Sequence, residues 1–136
     1  YFPEKSVSSL EKRYRPKGNN LEFEIRFETE NQRELRYVLE HNFHFADADQ
    51  VLINASVIEE SGMAESASTL ELIDPVLGKK ITFTLDHPFK TLYFKLKTLS
   101  QSEQGFDLTV QGVSFALEFP FCASLSIRGT MEITDV

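Results

Sequence analysis

At 136 residues the chain is long enough to bury one hydrophobic core, and its 41% apolar and 26% charged residues are those of a globular protein. A net charge of −7 speaks against general nucleic-acid binding, so no nucleic-acid polymer is expected as a partner. No apolar stretch approaches the length of a membrane span, and a single cysteine excludes an internal disulfide.

Residues 1–20, with Pro3, Pro16 and the run KGNN, are expected to form a basic, irregular leader onto one domain spanning residues 21–136. The first 17 residues carry a net charge of +3 on a body of −10, with Lys12, Arg13, Arg15 and Lys17 close together. LEFEIRFET at 21–29 alternates apolar and charged residues, the period of a strand with one buried face. Residues 31–45 fit two patterns. Asn31 followed by Glu34 has the spacing of a helix cap, while Leu35, Tyr37, Leu39, Phe43 and Phe45 alternate as a strand would, interrupted by His41. A short helix near 31–41 is expected. Strands follow at 50–58, 69–74, 79–86, 90–99, 106–119 and 123–134, separated by turns at Ser61-Gly62, Asp74-Pro75, Gly78, His87-Pro88 and 100–105. The fold class is mainly β, expected as a small six- to eight-stranded antiparallel barrel with at most one short helix. Twelve Phe and no Trp point to a Phe-filled interior. Cys122, among aromatic neighbours in FPFCASL, is expected buried and inert.

Catalytic chemistry finds little support. His41 and His44 share a face with Asp47 and Asp49 only if the segment is helical; on a strand they diverge, so no metal site is expected. Neither Cys122 nor any serine has a histidine nearby for a nucleophilic triad, and no G-x-S-x-G elbow occurs. Glu59 and Glu60 are adjacent and on a strand point apart, unlike paired catalytic carboxylates. Gly-rich phosphate loops are absent, and neither an enzyme nor a cofactor is expected.

The order of the pieces resembles the PilZ domain, a small β-barrel that binds cyclic di-GMP in bacterial signalling. Gly62-Met63, Gly78-Lys79-Lys80-Ile81 and Gly112-Val113-Ser114-Phe115 stand where that family has its turn glycine and two barrel strands. The resemblance implies a ligand site of Arg13, Arg15 and Lys17 on the leader with Asn54, Ser56 and Gly62 on the turn. It departs from the family at the leader, where Arg13-x-x-x-Lys17 replaces two arginines in register, and Lys cannot form a bidentate phosphate fork. Counting back from Gly62 puts Val57 and Glu59 at the polar ligand positions, whereas Asn54-Ala55-Ser56 keeps their chemistry. The implied role is a non-enzymatic signalling or protein-interaction module with an unidentified protein partner and weak or absent cyclic di-GMP binding. A second resemblance, of GFDLTVQGVSFALEFPF to the late strands of YceI-type, lipocalin-like barrels, implies a carrier of an apolar ligand. A cytoplasmic location is expected; because the chain opens on Tyr1, a processed periplasmic form stays open.

Overall fold

Side-chain alternation builds two β-layers. The computed structural model describes residues 8–136, and among them every regular element is a strand. In chain order these are β1 (Ser8–Lys17), β2 (Asn20–Thr29), β3 (Glu34–Phe43), β4 (Leu52–Ile53), β5 (Ser56–Val57) and β6 (Ser61–Ser66). They are followed by β7 (Thr69–Asp74), β8 (Lys79–Leu85), β9 (Phe89–Ser102), β10 (Gly105–Cys122) and β11 (Ser124–Asp135). All pair antiparallel, so the mainly β class read from the sequence is the class the chain adopts.

One layer runs β1-β2-β11-β8-β7-β4-β5 and the other β3-β10-β9-β6. They meet at one corner, where β10 and β11 share only the Cys122–Ser124 pair around Ala123, held at φ 63°. This is not the closed barrel of six to eight strands expected above. A barrel needs an unbroken ring of hydrogen-bonded strands. Here β1, β5, β3 and β6 each leave one side unpaired among the described residues. The layers instead stack face to face as in a sandwich.

The interior follows from the period of two. Phe23 and Ile25 of β2, Phe83 of β8, Leu70 and Leu72 of β7 and Ile127 of β11 point inward from one layer. Val113, Phe115, Leu117 and Phe119 of β10 meet them from the other, all fully buried. Rings cross the gap: Phe83 lies 5.0 Å from His41 and 6.3 Å from Phe43, and Phe27 lies 5.3 Å from Phe121. The Phe-rich interior is thus packed against itself, and the rings that would line a carrier's cavity are in contact with one another.

Two local expectations are corrected. The leader is not irregular over residues 8–17, because β1 pairs with β2 residue for residue from Ser8–Thr29 to Lys17–Asn20. The expected helix near 31–41 is instead β3, whose ten residues all pair with β10. Long-range backbone pairing overrides the cap signal, and Asn31 spends its side chain on a local turn, accepting from the Arg33 N–H at 2.9 Å. His41 does not interrupt the alternation. It is one of its inward members, stacked on Phe43 with interplanar angle 5°.

That position makes His41 acid-sensitive. Burial pushes its pKa below the ordinary 6.5, and its Nδ1 has no protein hydrogen-bond partner. The unfolded chain therefore takes up the proton first as pH falls. The stability linked to His41 is complete above the unfolded value of 6.5 and is lost as pH falls through it toward the folded value. Unfolding free energy should decline on acidification below that point, and His41→Phe should flatten the decline. An unchanged pH slope in the variant would reject the assignment.

Candidate functional site

The six residues singled out in the sequence do not converge. Arg13, Arg15 and Lys17 lie on β1, one edge of the larger layer; Asn54 and Ser56 lie at β4 and β5, the other edge. Five strand spacings from β1 to β4 amount to roughly 24 Å. Asn54 sits at φ 47°, and its Oδ1 accepts from the Glu71 N–H at 3.0 Å, so it fastens the β4–β5 turn to β7. Ser56 is an exposed strand residue paired with Ile53. Gly62 is in neither a turn nor a ligand loop. It is the second residue of β6, opposite Tyr93, whose ring covers the position a Cβ would take. Glu59 is exposed beside it, and the Glu60 carboxylate pairs with Lys97 at 2.5 Å.

Two of the three glycines that the sequence aligned with barrel landmarks, Gly62 and Gly112, are held by different matter. At Gly112, beside the β10 bulge, an added Cβ would lie 2.5 Å from the Phe43 carbonyl oxygen, a backbone atom fixed by the β3–β10 pairing. At Gly62 it would meet the ring of Tyr93, a buried side chain that still yields more readily than a paired backbone atom. Gly112→Ala is therefore expected to cost about 1–3 kcal/mol, the range of overpacking, and Gly62→Ala less. Equal losses in thermal unfolding would contradict this ordering.

Arg13 and Arg15 do join other residues. A groove of about 720 Å³ crosses the outer face of β1, β2, β11 and β8. Register explains its composition. Arg13, Glu24 and Arg128 form one row across β1, β2 and β11, with Asp86 beyond the end of β8. Two residues away along each strand, Arg15, Glu22, Thr130 and Thr84 form a second row on the same face. Between them Tyr14, Phe23, Gly129 and Leu85 are in register and turn toward the other face. At Gly129 an added Cβ would lie 2.6 Å from the Phe23 ring, so the glycine lets that ring pack flat beneath the groove.

The groove's charges are mutually balanced. Glu24 Oε1 accepts from Arg26 Nε at 2.8 Å and lies 3.6 Å from Arg128 Nε. Burial pushes the Glu24 carboxyl up, but Arg26, Arg128 and Arg13 outweigh it and hold the group below the usual carboxylate range. Asp86 Oδ1 accepts from the Arg128 backbone N–H at 2.8 Å. Arg13 turns to Glu11 at 2.5 Å, and Arg15 lies 3.8 Å from Glu22. Three guanidinium groups thus face three carboxylates, with two threonine hydroxyls among them. Sequence reasoning missed Glu22, Glu24, Thr84, Asp86, Arg128 and Thr130. The alternation of 21–29 and 123–134 already put the first two, Arg128 and Thr130 on outward positions, but no local signal says which strands are neighbours.

The remaining candidates disperse. His41 points inward; His44 Nδ1 meets the Gln111 carbonyl at 2.6 Å; Asp47 binds the Asp49 N–H and Gln50; Asp49 pairs with Lys95 at 2.5 Å. Cys122, expected buried, is exposed, with Sγ 3.0 Å from the Gln32 carbonyl oxygen, because it sits at the corner where the layers separate.

The profile of a family described as Alpha-amylase/4-alpha-glucanotransferase, C-terminal matches residues 3–133. The 4-alpha-glucanotransferase of Thermococcus kodakarensis is 41% identical over 73 residues, which are 54% of this chain and 11% of that protein. That of Thermococcus litoralis is 43% identical over 65 residues, 48% of this chain and 10% of that protein. The chain thus spans about a tenth of the curated relatives it matches. The solved structure of the Thermococcus litoralis enzyme superposes on 100% of this chain and 20% of its own, with a TM-score of 0.75 at 29% identity. The Slr1438 protein of Synechocystis sp. PCC 6803 shares the fold over 96% of this chain and 61% of its own, with a TM-score of 0.59 at 10% identity. These matches overturn the resemblance to the PilZ domain and the signalling role with cyclic di-GMP that it implied, along with the apolar-carrier alternative. The expectation that the chain has no part in an enzyme falls with them, since the matched relatives are named as enzymes. The landmarks behind those readings were short strand-and-turn patterns, which any antiparallel β-protein can present.

Proposed function

The chain belongs to the family of alpha-amylase and 4-alpha-glucanotransferase C-terminal domains, and from that premise we propose that it serves as the C-terminal β-domain of an enzyme acting on α-linked glucans. The observation that carries this reading is the coincidence of two likenesses over nearly the whole chain: the family match over residues 3–133 and the superposition on the Thermococcus litoralis enzyme. Transfer is favoured over hydrolysis because both curated relatives are named as glucanotransferases.

The test uses the full-length protein that carries this domain, incubated with a single malto-oligosaccharide. Transfer moves a glucan segment from one chain to another. Products both longer and shorter than the substrate should appear while the number of reducing ends stays constant. A rise in reducing ends with only shorter products would replace transfer by hydrolysis. An unchanged substrate would refute the reading.

A further inference from the structure

We propose that the groove across β1, β2, β11 and β8 is a holding site for a neutral α-glucan chain, gripped by hydrogen bonds from Arg15, Glu22, Glu24, Thr84 and Arg128. This rests on the reading of the chain as part of a glucan-acting enzyme; what it adds is the site and the chemistry of its ligand.

Charge selects the ligand class. Arg13, Arg15 and Arg128 are matched by Glu22, Glu24 and Asp86, so the groove has no net attraction for a nucleotide, a phosphate or an acidic peptide. Such a ligand would also meet the two carboxylates of β2 and that of Asp86 just beyond β8. A cationic ligand would meet guanidinium groups on β1 and β11. A neutral polyol faces neither penalty.

Hydrogen-bond capacity points the same way. Each guanidinium offers five donors and each carboxylate about four acceptor sites, and the contacts within the groove use few of them. The Arg15–Glu22 and Arg128–Glu24 separations of 3.8 and 3.6 Å are too long for hydrogen bonds. A bridging hydroxyl fits such a gap, donating to the carboxylate while accepting from the guanidinium, as water does across polar pairs of this spacing. Sugar hydroxyls combine both roles in one atom, and neighbouring hydroxyls on a ring present them in series. The Thr84 and Thr130 hydroxyls extend the same capacity along the second row.

Shape completes the argument. The groove is open and spans four strands, roughly 14 Å across at about 4.8 Å per spacing, so it admits a chain lying along it rather than an enclosed small molecule. Its volume of about 720 Å³ is that of a ligand site and not of a surface dimple. Exposed hydrogen bonds bind weakly one at a time, and tethering to an enzyme that engages the same chain elsewhere raises their effective concentration.

The experiment compares the full-length enzyme with its Arg15→Ala/Thr84→Val variant, both substitutions falling on exposed side chains. Affinity electrophoresis in gels containing amylose gives the binding readout, and KM for amylose against KM for maltotriose gives the kinetic one. The retardation by amylose should weaken, and the ratio of the two KM values should rise about tenfold, the equivalent of losing about one net hydrogen bond to a charged group. Unchanged retardation and an unchanged ratio in an active enzyme would overturn the proposal. So would a lowered melting temperature with both KM values shifted equally, which would mean that polypeptide covers the groove. A wild-type protein that is retarded by amylose, loses this in the variant, yet redistributes no malto-oligosaccharide would uphold the groove while refuting the enzymatic reading.

Discussion

Replacing Phe83 by alanine is expected to destabilise the protein by about 3–5 kcal/mol, the range for deleting a fully buried phenyl ring. Phe83 is 0% exposed in β8 and pairs with Met131 on one side and Leu70 on the other. Its ring reaches across the gap between layers to His41 and Phe43. Removing it deletes contacts between the layers as well as within one of them. The hole has little means of closing, because both walls are sheets whose positions are set by backbone hydrogen bonds, and a void that stays open forfeits dispersion on every side. Natural domains hold only about 5–15 kcal/mol in total, so the loss should show as a large fall in the urea midpoint. Val57→Ala, on an exposed strand, serves as control and should stay within about 0.5 kcal/mol. A loss below about 1 kcal/mol at Phe83, with unchanged denaturant slope, would mean that the layers close over the gap.

The Phe83 row also shows what the sequence could reveal. Residues 69–74 and 79–86 alternate plainly, and the strands found there are Thr69–Asp74 and Lys79–Leu85, because one face of each is buried and burial is what a period of two records. β1 lacked that signal. Every one of its residues is exposed, its existence rests on pairing with β2, and pairing leaves no periodic trace in composition. At β3 the trace was present but His41 was read as a break, although an imidazole stacked among phenyl rings occupies a core position as well as a phenyl does. The predicted strand at 50–58 is two short strands around Asn54 and Ala55, both at positive φ, a turn that an Asn within an apolar run can signal.

The groove was less legible for a different reason. Arg13 and Arg128 are separated by most of the chain, and only the order β1-β2-β11-β8 brings them to one face. Strand order depends on which sheets can close over one another, a property of the whole molecule. The same physics explains why short glycine-and-strand landmarks misled. Gly62 and Gly112 answer to a tyrosine ring and a carbonyl oxygen, demands that any packed β-protein can make, so they carry no information about ligand.

Asp74→Ala should cost about 3 kcal/mol, and Asp74→Asn about half of that. Asp74 closes β7 and is only 3% exposed, yet its carboxylate has no cationic partner among the described residues. It is satisfied by backbone. Oδ1 accepts from the N–H groups of Val76 and Leu77, closing the β7–β8 turn, and Oδ2 accepts from the N–H of Ala46, all at 3.0 Å. The last bond joins the segment after β3 to the far layer, so one side chain fixes a turn and a connection between layers together. Alanine strands all three donors. Those of Val76 and Leu77 lie in an exposed turn and recover water, which keeps the total well below three full desolvation penalties. Asparagine separates the two functions, since its carbonyl oxygen can keep the turn while its amide presents hydrogens to the Ala46 N–H. Amide hydrogen exchange should therefore accelerate at Ala46 in both variants but at Val76 and Leu77 only in Asp74→Ala. Equal stability of Asp74→Asn and the unmodified protein would show that the link to Ala46 carries no free energy, and that the turn alone accounts for the buried charge.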